Sequence, residues 1–111
     1  MIRAVLRKDK GHWIGCSVRG HSDYAEEGSD IVCSAVSTLS ITCVNALEAV
    51  CGIEPIVEEL EDGVLVFSLP TDLTEEQRHD AGILMGALHW GLKDLAEQYP
   101  NDIQLILNGG K

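Results

Sequence analysis

Two complementary reactive groups stand close together in the stretch "GHSDYAEEGSDIVCSAVS", Gly20 to Ser37: the imidazole of His21 and the thiol of Cys33. A thiolate attacks carbonyl carbon, and a nearby imidazole can remove the thiol proton and later hand it to a leaving amine. Cys33 follows "GSDIV". With Ser29 or Asp30 as N-cap it falls in the first turn of a helix, where unpaired N–H groups and the positive end of the macrodipole favour an anion. The same helix start offers N–H donors around Cys33 and Ser34 to the oxygen of a tetrahedral intermediate. The pattern predicts acyl transfer with Cys33 as nucleophile and His21 as general base and acid. Asp30 either orients His21 or caps the helix, and a carboxylate so near the thiol opposes its ionisation unless engaged elsewhere. Ser37, one helical turn after Cys33, shares its face.

A bland reading stands beside each of these. A cysteine in a small domain is more often a buried apolar filler than a nucleophile, and position separates the four thiols. Cys16 belongs to the apolar face of a strand and Cys43 to the buried stripe of a helix, while Cys51 ends that helix next to Gly52. No C-x-x-C pair and no histidine at zinc-ligand spacing accompanies them, so neither a metal site nor a disulfide framework is expected, and no cofactor is implied. His12 opens a strand, and His79 and His89 lie on a second helix, where surface or packing roles are the ordinary ones. The loop acids Asp23, Glu26, Glu27 and Asp30 read equally as a solvated face or as readers of a basic substrate.

The elements that must position these groups follow from periodicity. Ile2, Ala4 and Leu6 alternate with Arg3, Val5 and Arg7, and "DKG" turns the chain into His12 to Arg19, where Ile14, Cys16 and Val18 share a face. From Ile31 to Cys51 the apolar residues Val32, Ala35, Val36, Leu39, Cys43, Ala46, Leu47 and Val50 recur at helical spacing until Gly52. A second hairpin joins Ile56–Leu60 to Val64–Leu69 through Asp62 and Gly63. Thr74 with Gln77 forms a capping-box pattern opening a helix that runs to about Tyr99, and Asn101–Leu107 reads as a last strand. The order ββαββαβ predicts an α/β (α+β) sandwich, a mainly antiparallel sheet covered by two helices, in one domain spanning 1–111.

Composition limits the partners. Eighteen acids against eight Lys and Arg give a net charge of −10, which argues against direct nucleic-acid binding and for a basic peptide. No apolar run of about 20 residues and no signal-peptide core are evident in the sequence, so no membrane partner is expected and the chain reads as cytoplasmic.

Gly20 and His21, followed by "GSDIVCSAVS" from Gly28 to Ser37, resemble the signature of the ribosomal-processing cysteine protease family, Prp. "NALE" at Asn45 to Glu48, the length and the element order are similar as well. The resemblance places the family nucleophile on Cys33 and its histidine on His21, with Gly20, Asp30 and Ser37 on other motif positions. Ser22 and Ser34 stand where the family more often has alanine, which bears on substrate preference. The resemblance implies removal of an N-terminal extension from a basic ribosomal protein, large-subunit protein twenty-seven, during ribosome assembly, and it implies a homodimer. Two rivals remain: a non-enzymatic assembly factor that binds a basic ribosomal protein, and a thiol redox or acyl-transfer enzyme of another class.

Overall fold

The computed structural model describes residues 1–20 and 27–109, with side chains in the first helix described from Ile31 onward. The elements are β1 (Ile2–Asp9), β2 (His12–Arg19), α1 (Glu27–Ala49), β3 (Ile56–Glu61), β4 (Val64–Ser68), α2 (Glu75–Gln98) and β5 (Ile103–Asn108), in the expected ββαββαβ order. The strands form one sheet in the order β3-β4-β2-β1-β5. Three junctions are antiparallel, and β5 runs parallel to β1. A parallel pair needs a long crossover, and α2 supplies it between β4 and β5.

Both helices cover the same face of the sheet. Ile2, Ala4 and Leu6 of β1, Cys16 and Val18 of β2, and Leu65 and Phe67 of β4 join Val32, Val36, Cys43 and Leu47 of α1 and Ala81, Met85, Leu88 and Leu92 of α2 in one apolar cluster. Burial of each large member stabilises the fold by about 1.5–3 kcal/mol, so this shared face outweighs the weak helix propensity of the β-branched α1. The helices pack closely because Gly91 of α2 leaves room for Leu39 of α1: a Cβ at Gly91 would fall 2.9 Å from Leu39 Cδ1. Val66, on the opposite face between Leu65 and Phe67, is buried yet outside that cluster.

Four expectations need correction. A bulge where Arg7/Lys8 of β1 meets β2 leaves Ile14 exposed and turns Trp13 to the helix side, where its ring meets His89 of α2 with centroids 5.6 Å apart. Trp13 therefore takes the core-facing place expected of Ile14. Helix α1 starts at Glu27, a full turn earlier than the apolar periodicity indicates. At its other end Gly52, at φ 65°, lets Ile53 N–H reach back to Leu47 O at 2.8 Å, and Val50 is left exposed beyond the buried stripe. Finally, Ile31–Ala49 is by length and composition apolar enough to cross a membrane, with a mean hydropathy of 1.5 over 19 residues, contrary to the expectation that no such run exists. Its apolar stripe packs on the sheet in this fold, as in the core helix of a globular domain.

Helix α2 starts where its sequence says. Thr74 Oγ1 accepts from Gln77 N–H at 3.1 Å, and Thr74 N–H donates to Gln77 Oε1 at 3.1 Å, so the reciprocal capping box is formed.

Candidate active site

A cleft of about 110 Å³ opens between α1 and the β3–β4 hairpin. Cys33, Val36, Ser37 and Ile41 of α1 line it on one side and Leu60 and Val64 of the hairpin on the other, and Ile2 and Gly20 also line it. Cys33 is half-buried there. It belongs to the second turn of α1, since the helix begins at Glu27. That position corrects the expectation of a first-turn thiol. In an α-helix the orphan N–H groups are the first four, so those of Cys33 and Ser34 fall to the intrahelical ladder, and the helix start is not the oxyanion site the sequence suggested.

The other three thiols are set apart by their surroundings. Cys16 is fully buried, and burial, reinforced by the neighbouring Cys43, pushes its pKa up to about 12. Cys43 packs against Met85, Sγ to Sδ 3.8 Å, and burial raises its pKa to about 11. Cys51 is also raised, first by desolvation and then by the charge of Asp80. These shifts hold the neutral thiol, the unreactive form. None of the four cysteines forms a disulfide, and the cleft belongs to Cys33.

Gly20 follows the end of β2. Its N–H donates to Gly63 O at 2.9 Å, tying the end of β2 to the turn of the β3–β4 hairpin. Its φ of 99° is a glycine conformation, and a Cβ there would sit 2.5 Å from Met1 O. Ser37 lines the same cleft as Cys33. Ser34 does not: it is exposed beside Ile31, Ala35 and Thr38 on another face of α1. His21, with the loop acids Asp23 and Glu26, lies outside the described residues, as do the side chains of Glu27 and Asp30. No group of three or more His, Cys, Asp or Glu suited to a metal ion occurs among the described residues.

Sequence reasoning missed the opposite wall. Leu60 is 67% exposed and Val64 half-buried, and the acidic residues Glu61 and Asp62 also line the cleft. The available signal was an apolar residue on either side of "EDG" that no strand alternation required.

A family model described as cysteine protease Prp matches residues 1–104. This chain belongs to that family. The ribosomal processing cysteine protease Prp of Bacillus subtilis (strain 168) is 32% identical over 111 residues, covering 97% of this chain and 98% of its own. Among solved structures, SMU.848 from Streptococcus mutans superposes with a TM-score of 0.84 at 31% identity, covering 97% of this chain and 94% of that one. The fold is also that of an essential ribosomal processing protease Prp from S. aureus in complex with a substrate peptide, TM-score 0.81 at 22% identity, covering 96% and 99%. As a member of the Prp family the chain is a cysteine protease.

Proposed function

We propose that this protein is an endopeptidase that removes the short N-terminal extension of large-subunit ribosomal protein twenty-seven during ribosome assembly, with Cys33 as nucleophile and His21 as general base and acid. The single observation that carries the assignment of Cys33 is its place on a cleft while burial holds Cys16 and Cys43 neutral. His21 is supported by sequence adjacency, since Gly20, the residue before it, lines that same cleft. In the proposed cycle Cys33 Sγ gives its proton to His21 and attacks the scissile carbonyl carbon. The C–N bond breaks as His21 returns the proton to the leaving amine, which releases the mature protein. Water then attacks the thioester, His21 takes its proton, and the free carboxylate and the thiol are regenerated.

The substrate reading rests on charge. A net −10 protein with Glu61 and Asp62 at the cleft attracts a basic chain, which speeds encounter and favours its docking. The same reading includes a homodimer working in the cytoplasm without direct nucleic-acid or membrane contact. Mass spectrometry of the precursor protein before and after incubation tests the activity. A single new amino terminus, absent with Cys33→Ala, is the expected result. Binding of an intact precursor without cleavage would instead identify a non-enzymatic assembly factor, and turnover of a small thiol or thioester with the peptide bond intact would identify another thiol enzyme.

A further inference from the structure

The cleft continues into a sheet edge. β3 is the terminal strand, its one sheet neighbour is β4, and among the described residues no strand pairs with its outer edge. Such an edge is a template for any extended chain, and proteins ordinarily blunt it with lysine, proline or a covering element. Here the strand reads "IVEELE", and three of its side chains are large, apolar and exposed: Ile56 at 51%, Val57 at 43% and Leu60 at 67%. Val57 and Leu60 stand opposite the core residues Phe67 and Leu65, so both face the helix side of the sheet and prolong the apolar wall that Leu60 presents to Cys33.

From this edge we infer that β3 receives an extended segment of the substrate as a sixth strand, delivering its scissile bond to Cys33; the inference rests on the protease reading above. Backbone hydrogen bonds along the edge would supply affinity, and alternate side chains would be read by the cleft and the Val57–Leu60 wall. The two-residue turn makes Glu61 and Val64 a hydrogen-bonded pair, so the neighbouring Leu60 is a non-hydrogen-bonded partner of Leu65 whose N–H and C=O point outward. Charge selects the occupant. Glu58, Glu59 and Glu61 lie on the strand and Asp62 follows it; Arg19 pairs with Glu59 at 2.8 Å and also feels the charge of Glu61, so one cation faces this group of four acids. A second copy of this chain added through its own β3 would set glutamates against glutamates, whereas the basic substrate meets opposite charge.

The test uses hydrogen exchange on the Cys33→Ala protein, with a synthetic peptide spanning the extension and the first basic residues of mature ribosomal protein twenty-seven. The Leu60 amide should exchange at least tenfold more slowly with peptide bound, while β5, the other edge, is unaffected. In the active protein, Leu60→Pro, which removes the outward donor, should lower kcat/KM at least tenfold beyond Leu60→Ala, which keeps it. Alkylation of Cys33 by iodoacetamide should proceed at the same rate in both. Unchanged exchange along β3 in a protein that still cleaves the peptide overturns the edge docking and leaves the protease reading standing. Protection at Leu60 that rises with protein concentration and needs no peptide assigns the edge to a second copy and overturns it too. Failure of the unaltered protein to cleave the peptide overturns the function beneath the inference, and the inference with it.

Discussion

Gly20 stands against the amino-terminal residue: a Cβ built on it would fall 2.5 Å from the carbonyl oxygen of Met1, while its own N–H holds Gly63 O at 2.9 Å. Any side chain there must also adopt a φ near 99°. Gly20→Ala should therefore destabilise the protein by about 1–3 kcal/mol, the range for a residue forced into a sparsely populated conformation. It should also lower kcat/KM by shifting the chain that leads to His21. Urea denaturation and peptide cleavage measured side by side check this; an alanine variant of full stability and full activity would show that the close approach is relaxed without consequence.

Cys33→Ala should abolish cleavage with folding intact, because the half-buried thiol lines a cleft at the margin of the core and its truncation to alanine opens no enclosed cavity. Cys16→Ala and Cys43→Ala should retain turnover but lose roughly 1 kcal/mol or more of stability, as modest core truncations do. Brief iodoacetamide treatment at neutral pH followed by peptide mapping should place the label on Cys33, with Cys16 and Cys43 unmodified. Even labelling of all four in the folded state would contradict the separation drawn above.

The same two core thiols predict a loss of stability in alkali. Their folded values, about 12 for Cys16 and about 11 for Cys43, lie above the ordinary 9.0, so the unfolded chain releases their protons first. This contribution is fully present below pH 9 and declines as pH rises through 11 and 12. Unfolding free energies from pH 8 upward should fall less steeply in Cys16→Ala than in the unaltered protein. Parallel curves would mean that the buried thiol does not titrate with unfolding.

Raised salt should increase KM more than it lowers kcat, since exposed charges capture the substrate and ions screen them. Glu61→Gln and Asp62→Asn at the cleft should reproduce part of that increase at low salt. Salt-independent kinetics in both variants and parent would remove charge from the recognition.

Away from the cleft, Thr74→Ala removes the Oγ1 that accepts from Gln77 N–H, leaving only the bond from the backbone N–H of residue 74 to Gln77 Oε1, and should cost about 1 kcal/mol. Its kcat should be unchanged, which makes it a control that separates loss of fold from loss of chemistry.

Helix α2 was legible because its boundary is written locally: Thr74 and Gln77 satisfy each other within one turn. The start of α1 was not, because the turn from Glu27 to Asp30 carries no apolar periodicity and only the backbone continues the helix. The Ile14 error has a different origin. A bulge shifts the alternation by one residue, and nothing in "HWIGC" announces it; the large indole of Trp13 finds its place through His89, far along the chain. For the site, residue chemistry pointed to Cys33 and the Gly20–Ser37 motif, yet the opposite wall comes from a hairpin that only tertiary packing brings to the cleft.

The backbone N–H of Ile2 donates to Asp102 O at 2.7 Å, and β1 then pairs with β5 along its length. Strand β1 is thus completed by a strand far along the chain. Long-range pairings of this kind form late, because distant parts of the chain must be present before they can meet. Ile2, which lines the cleft, pairs with Ile103 only through this long-range contact. The cleft beside Cys33 therefore depends on a strand pairing between residues far apart in sequence, so an intermediate with both helices formed but β5 undocked would lack that part of its lining.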